Sequence, residues 1–383
     1  MQVISDSQSL ANFSAELRKR PFFAVDTEFM REKTYWPILC LIQAASDGLE
    51  AIIDPLAENL DLTPFLEALT DPSVVKVFHA ARQDMEIFYN LIGAPPKPIF
   101  DSQIAAMACG YGDQIGYEPL MRSLLNVRID KGSRFTDWSR RPLTDAQLDY
   151  ALSDVTHLRE AYVLLKDKLA SEDRLSWVEQ EMDSLLDPDL YLVKPEFAWK
   201  RMKLRSVRPR DIGPVMKIAE WREQEAQTRD APRGRILKDE AIFEIAHLRP
   251  KIPADLAKAR SVSSGFERSK SGAGLLEAVA KGIALPKEML PDIDQNQQRE
   301  PAPADVVDLL KVLLKRQCEK YSVAPKLIAS ANDIEKIALS DTADVRALKG
   351  WRKDIYGDLA LKLKHGKIAL KLHGDRVEIL ETD

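Results

Sequence analysis

The sequence predicts an α/β domain built on a mixed sheet, followed by two small all-helical modules. Strand and helix patterns alternate over residues 1–170, which is the pattern of an α/β layer architecture. Strand patterns nearly vanish after about Ser171. A polar stretch from Leu290 to Pro303 with three prolines then separates two helical blocks. At 383 residues the chain has room for two or three domains.

Ser9 to Arg20 reads as an amphipathic helix. Pro21 to Asp26 (Pro-Phe-Phe-Ala-Val-Asp) is an apolar run ending on polar residues, a buried strand. Ile38 to Ala44 and Ala51 to Asp54 form the next two strands, and Asp47-Gly48 between them predicts an antiparallel hairpin. Val74 to Phe78 is a further strand. A helix starts at about Arg82, with Gly93 as its stop. Thr144-Asp-Ala-Gln147 has the spacing of a capping box, in which Thr144 accepts from the N–H of Gln147 and the Gln147 side chain reaches back. Leu148, Ala151, Leu152, Val155 and Leu158 follow on that helix.

Short helices punctuated by Pro and Gly fill residues 200–290. The last stretch, Lys367 to Leu380, alternates around a Gly and predicts a hairpin. The two helical blocks resemble each other. Gly265 to Gly272 and Gly350 to Gly357 share a seven-residue Gly spacing, and Ile245-Ala246 and Ile337-Ala338 follow Pro232 and Pro325 at similar distances. An internal duplication is the reading. The expected boundaries are 1–170 for the α/β domain, 171–205 for a helical connector, 206–289 for the first module, 290–303 for a linker, and 304–383 for the second module with its hairpin.

Composition narrows the function classes. No run of about 18 apolar residues occurs, so no transmembrane helix is expected. The first residues lack the basic and apolar blocks of a signal peptide. Cys40, Cys109 and Cys318 are scattered, which argues against a disulfide framework or a Cys-rich zinc site and fits a reducing cytoplasm. No Walker-type glycine loop is present, so no nucleoside triphosphate is expected. The net charge of −5 hides a contrast: residues 1–200 hold 20 basic and 32 acidic side chains, residues 201–290 hold 19 and 12, and residues 291–383 hold 16 of each.

Asp26 and Glu28 stand two apart at a strand end and so share a face. Two like charges held together are costly unless a cation neutralises them, and oxygen-only ligands suit Mg²⁺ or Mn²⁺ over zinc. Alone, such a pair is a common surface feature. Asp84 sits in the first turn of a helix, where an acid is also favoured by the macrodipole alone. Tyr150 and Asp154 are four apart on one helix face, where either residue is commonly structural.

Together these residues resemble the DEDDy exonucleases. Val25-Asp-Thr-Glu-Phe29 matches that family's first motif, His79-Ala-Ala-Arg-Gln-Asp84 the second, and Tyr150-Ala-Leu-Ser-Asp154 the third. Further stretches look like the ribonuclease D type: Arg31 to Pro37, Leu41-Ile-Gln43, Ile53-Asp-Pro55 and Thr136 to Leu143. The helical blocks resemble HRDC modules, the first through Trp221-Arg222, Pro232 and Ile236 to Asp239. The resemblance implies an RNase H-like (DnaQ-like) exonuclease domain with two HRDC-like domains. It implies a 3′→5′ exoribonuclease that releases 5′-mononucleotides, with tRNA precursors as the expected substrates and a monomer as the expected state. It also implies two divalent ions, Mg²⁺ or Mn²⁺. Asp26, Glu28 and Asp154 would hold the first, and Asp26 would bridge to a second held by Asp84. Such a pair of ions clamps the attacking and leaving oxygens of a phosphoryl displacement. Tyr150 would aim the attacking water. His79 is expected to be a buried, hydrogen-bonded residue, not a ligand or base.

Four carboxylates repel phosphate until metal reverses the local charge, so RNA must be held by cations elsewhere. Lys200, Arg201, Lys203, Arg205, Arg208 and Arg210 lie within eleven residues and could contact phosphates without reading sequence. Nearer the site, Phe29, Lys131, Arg134 and Trp138 are further RNA-binding candidates. Phe29 could stack on the terminal base, and Trp138 could equally be core. Alternative readings are a DEDDy DNA exonuclease, an exosome-associated relative, and a non-catalytic RNA-binding scaffold.

Overall fold

The computed structural model describes residues 2–129, 132, 136–204, 207–291 and 301–382. The chain divides into two compact units. One comprises Met1–Glu28, Cys40–Asp187 and Glu300–Asp383; the other comprises Phe29–Leu39 and Pro188–Arg299. Residues 300–383, the expected second helical module, group in the same unit as the α/β domain. Residues 292–300 of the expected linker lie outside the described residues.

The first unit is built on a six-stranded mixed sheet. Its elements are β1 (Val3–Ile4), α1 (Ser7–Leu17), β2 (Phe22–Met30), β3 (Ile38–Ser46), β4 (Leu49–Ile53), α2 (Thr63–Thr70), β5 (Val75–Phe78), α3 (Arg82–Ile92), β6 (Ile99–Asp101), α4 (Ser102–Ala108), α5 (Tyr117–Leu125), α6 (Asp145–Ser171) and α7 (Leu175–Ser184). The strand order is β1-β4-β3-β2-β5-β6. β3 and β4 pair antiparallel with Ser46 opposite Leu49, so Asp47-Gly48 makes the expected tight turn, and Gly48 takes φ +65°. β1 and β6 are two and three residues long, too short to leave a periodic signal. α1 begins two residues earlier than its apolar pattern suggests, because Asp6 accepts from the N–H of Ser9 and caps it.

β2 lies in the interior of the sheet, with Phe23, Ala24 and Val25 fully buried before the chain turns polar at Asp26. α6 begins at the expected capping box. The Thr144 hydroxyl accepts from the N–H of Gln147, and the Thr144 N–H donates to the Gln147 side chain at 2.8 Å. Its inner face buries Ala151, Val155, Leu158, Ala161, Leu165 and Leu169 at helical spacing. Each of those leucines contributes roughly 1.5–3 kcal/mol by burial.

The second helical block of this unit comprises α13 (Ala304–Tyr321), α14 (Pro325–Ile328), α15 (Ala331–Leu339), α16 (Gly350–Arg352, continued by a π turn over Lys353–Gly357) and α17 (Asp358–Lys364). The expected hairpin, β7 (Ile368–His373) and β8 (Arg376–Glu381), follows it. The block docks on α7, where Trp351 stacks on Trp177 at 4.2 Å with the rings 2° from parallel. Beside that stack the buried Arg352 donates to the carbonyl of Leu327 at 2.7 Å and pairs with Glu181.

In the second unit α8 (Ile212–Thr228) packs on α12 (Lys270–Ile283), with α9 (Arg233–Ile236), α10 (Asp239–Leu248) and α11 (Pro253–Leu256) between them in sequence. Ile218, Ile242, Ile245, Leu275 and Val279 centre its core. α8 and α12 meet backbone to backbone: a Cβ on Gly213 would lie 2.2 Å from the carbonyl oxygen of Gly282. Residues 29–39 are fastened to α8. Tyr35 is buried, its hydroxyl bonds Glu223, and Asp230 accepts the N–H groups of Tyr35 at 2.9 Å and Trp36 at 3.0 Å.

Each helical block opens with a long helix, a four-residue helix and a helix of nine or ten residues, and reaches its last helix through a 3₁₀ turn; the first block inserts the further short helix α11 before that turn. Gly272 and Gly357 occupy like positions, each with a carbonyl oxygen, of Phe266 at 2.3 Å and of Ala347 at 2.4 Å, where a Cβ would need to go. This match supports the duplication.

Candidate active site

β2 carries Asp26 and Glu28 on one face at the end of its buried run. The middle of α6 brings Asp154 to them. One carboxylate oxygen from each of Asp26, Glu28 and Asp154 lies within 4.8 Å of the others, and all three side chains are half-buried. Tyr150, one turn earlier on α6, lines the same cavity of about 480 Å³ as Asp26 and Asp154, with Tyr117, His79 and Gln103 around it.

Asp84 arrives from the opposite direction, in the first turn of α3. It is 7% exposed, and its Oδ1 accepts from the hydroxyl of Thr27 at 2.5 Å. Thr27 lies between the two β2 carboxylates and so points to the other side of the strand. The start of α3 is held by Asp101, whose carboxylate accepts the N–H groups of Ala80 at 3.1 Å, Ala81 at 2.8 Å and Gln103 at 2.8 Å. Tyr117 donates its hydroxyl to the carbonyl of Asp154 at 2.5 Å, fixing α6 at the residue that bears the carboxylate. The sequence patterns do not single out Thr27, Asp101 or Tyr117. Thr27 is legible in principle, as the middle residue of Asp26-Thr-Glu28. Asp101 and Tyr117 act through backbone groups brought close only by folding.

The electrostatics are unbalanced. Burial, and then the neighbouring Asp154, pushes the Asp26 carboxyl up to about 8. Burial pushes Asp154 up to about 7. Burial and Asp26 raise Asp84 well above the carboxylate range, against the Thr27 hydrogen bond. Among the described residues, Asp26, Asp84 and Asp154 make no ion pair with Lys or Arg. An all-oxygen donor set with this surplus of negative charge fits a hard divalent cation.

The other expected residues divide. Trp138 is 2% exposed and its ring stacks on Tyr150 at 6.2 Å and 26°. It therefore supports the tyrosine from beneath and does not present a face to nucleic acid, which corrects the RNA-binding expectation. His79 places Nδ1 2.9 Å from the Ser102 hydroxyl, and burial holds its pKa below the usual value. Phe29 is half-buried on β2. Lys131, Arg134 and Arg205 lie outside the described residues. Lys200, Arg201, Lys203, Arg208 and Arg210 are exposed; the Lys200 ammonium sits 4.3 Å from the centre of the Phe197 ring and Arg210 lies 3.5 Å from Asp211.

A carboxylate cluster on the end of an interior strand, with a tyrosine and a fourth acid beside it, is a donor set of the kind that metal-assisted phosphodiester cleavage uses. In agreement, residues 1–171 match a 3′-5′ exonuclease family model and residues 215–279 match the HRDC domain. Over its length the chain is 48% identical to ribonuclease D of Granulibacter bethesdensis, covering 99% of this chain and 96% of that protein. It is 47% identical to ribonuclease D of Nitrobacter hamburgensis, covering all of both. The crystal structure of Escherichia coli RNase D superposes with a TM-score of 0.83 at 28% identity, covering 95% of this chain and 98% of that one. The chain belongs to the ribonuclease D family, the hydrolytic 3′→5′ exoribonucleases that the fold and motifs implied.

Proposed function

We propose that this exoribonuclease trims the 3′ ends of structured RNA, tRNA precursors among them, as a cytoplasmic monomer. The observation that carries the catalytic part of this reading is the convergence of Asp26, Glu28 and Asp154 within 4.8 Å beside Tyr150. Asp26, Glu28 and Asp154 would hold one divalent ion, and Asp84 with Asp26 a second, Mg²⁺ or Mn²⁺. When bound, such ions supply a nucleophilic water at neutral pH and offset the charge that builds on the phosphoryl oxygens. Tyr150 orients the attacking water through its hydroxyl. Tyr117 fixes the segment of α6 that carries Asp154, and Thr27 fixes Asp84. In this reading Phe29, which follows Glu28 on β2, stacks on the terminal base, and Lys200, Arg201, Lys203, Arg208 and Arg210 contact the RNA backbone.

Support for structured RNA comes from the E. coli relative, described as an exoribonuclease involved in structured RNA processing. The test is hydrolysis of a 3′-extended tRNA and of a DNA oligomer of matching sequence, with Mg²⁺, with Mn²⁺ and with chelator. The expected result is metal-dependent release of 5′-mononucleotides from the RNA. Equal or preferred cleavage of the DNA, or activity that survives chelation, would overturn the reading.

A further inference from the structure

The sheet holds the start of β2 more closely than the end that bears the carboxylates. β2 pairs with β5 from Phe22–Val75 to Ala24–Val77, so Asp26 and Glu28 lie beyond these pairs, with β3 as the neighbour on the other side. Burial falls in the same direction: Phe23 to Val25 are fully buried, whereas Glu28, Phe29 and Met30 are half-buried. Directly after Glu28 the chain leaves the α/β unit, and residues 29–39 group with the first HRDC block.

Seven residues past Glu28, Tyr35 is 4% exposed and enters a polar network on α8. Its hydroxyl donates to Glu223 and accepts from the Gln227 amide at 3.1 Å and the Arg233 guanidinium at 2.9 Å. Glu223 is 1% exposed and accepts from two Arg233 nitrogens, each at 2.5 Å. The same guanidinium lies 4.7 Å from the centre of the Tyr35 ring. Burial, and then the bond to Glu223, pushes the Tyr35 hydroxyl up to about 12, so it keeps its proton. One oxygen of Asp230, just past the end of α8, accepts the N–H groups of Tyr35 and Trp36.

A buried carboxylate and guanidinium cost desolvation energy that apolar packing of like size would avoid. What such a network adds is register. Apolar side chains tolerate sliding, whereas a buried hydroxyl with one donation and two acceptances fits one position only. The backbone bonds from Tyr35 and Trp36 to Asp230 fix the same register a second time.

We propose that Tyr35 and Asp230 are positioning residues. They lock residues 29–39 onto the first HRDC block and so hold the end of β2 where Glu28 meets Asp26 and Asp154. The proposal rests on Glu28 being a metal ligand. The HRDC block then serves the chemistry through the chain that follows Glu28.

The test uses the full-length protein. Tyr35→Phe keeps the ring and leaves the Glu223–Arg233 pair intact. Asp230→Gly removes the acceptor at φ +46°, a conformation that glycine adopts freely. Mn²⁺ binding without RNA is measured by calorimetry, and kcat and KM on a trinucleotide by steady-state kinetics. Each variant is expected to bind Mn²⁺ about threefold to tenfold more weakly and to lose about tenfold in kcat, with KM little changed. The double variant should lose little more than the worse single one, because both act on one lock. Asp230→Asn keeps an oxygen acceptor and tolerates the same φ, so it should stay near wild type. Val279→Ala, in the core of the same block, should lower Tm and leave Mn²⁺ affinity and kcat unchanged. Mn²⁺ affinity within about twofold of wild type in both Tyr35→Phe and Asp230→Gly, a loss confined to KM, or an equal loss in Val279→Ala would overturn the proposal. Hydrogen exchange at the amides of Thr27 to Met30 should be faster in the two variants than in wild type or Val279→Ala. That readout needs no metal. A wild-type protein that neither binds Mn²⁺ nor hydrolyses RNA would sink the proposed activity, and unchanged exchange at those amides would overturn the lock separately.

Discussion

The cavity around Asp26 and the cavity around Arg260 are opposites. The first gathers carboxylates from β2 and α6, half-buries them and gives Asp26 and Asp154 no cationic partner among the described residues. The second, in the first HRDC block, gathers the exposed cations Arg229, Arg235, Lys238 and Arg260, with one carboxylate, Glu240, among them. Neither charge imbalance stabilises the fold. Burial of like charges raises carboxyl pKa values in the first, and exposed like charges repel weakly in the second. The difference is one of depth. A convergent, half-buried acid cluster has the donors for a small hard cation, whereas the charges around an exposed basic hollow are screened by solvent.

The sharpest way to break the comparison is to remove a carboxylate. Asp26→Asn should lower kcat on the order of 10³-fold and weaken the activation by added Mn²⁺, read by steady-state kinetics; residual activity within about tenfold of wild type would detach Asp26 from the site. Tyr150→Phe should cost on the order of 10²-fold in kcat with KM and metal dependence little changed. A rise in KM as the main effect would turn the tyrosine into a binding residue.

A pH series sharpens the contrast in charge. Asp26 is raised to about 8 and Asp154 to about 7 from an ordinary carboxyl value of 3.8. The folded, metal-free protein therefore holds protons that the unfolded chain has released, so its stability falls as pH rises from about 4 to about 8. Thermal melts in chelator should show that decline. Divalent metal, which needs the ionised carboxylates, should oppose it most strongly at the alkaline end. Asp26→Asn should flatten the profile, and a Tm independent of pH in chelator would contradict the burial assigned to these groups. The smallest effect is expected at Thr27→Val, which keeps the packing and removes the hydroxyl that Asp84 accepts from. It should destabilise by about 1 kcal/mol in denaturant melts, with a larger proportional loss in activity than in stability.

Much of this molecule is legible before folding is considered. The apolar run at Phe22–Val25, the Asp47-Gly48 turn, the Gly93 stop and the Thr144 capping box all act within a few residues, and each appears where expected. Misses occur where an element is too short to carry a period, as in β1 and β6. They also occur where a role depends on distant backbone, as for Asp101 and Tyr117. Trp138 shows a related difficulty: an aromatic near a nuclease motif reads equally as platform or core, and only its burial beneath Tyr150 decides.

By itself the sequence determined the candidate site residues and their local placement, because a strand sets i and i+2 on one face and a helix sets i and i+4 on one face. It determined the order of modules and the acidic-to-basic contrast along the chain. Tertiary structure alone decided that Asp154 meets Asp26 and Glu28, that Asp84 is tied to Thr27, and that residues 300–383 group in one unit with the α/β domain. It also decided which cations stay open. Arg346 and Arg352 are bound by Glu181, and Arg235, Lys238 and Arg260 gather around one hollow. The reason is the reach of each interaction. Hydrogen-bond periodicity acts over a handful of residues, whereas charge pairing and burial depend on partners far apart in the chain that meet only when the core closes.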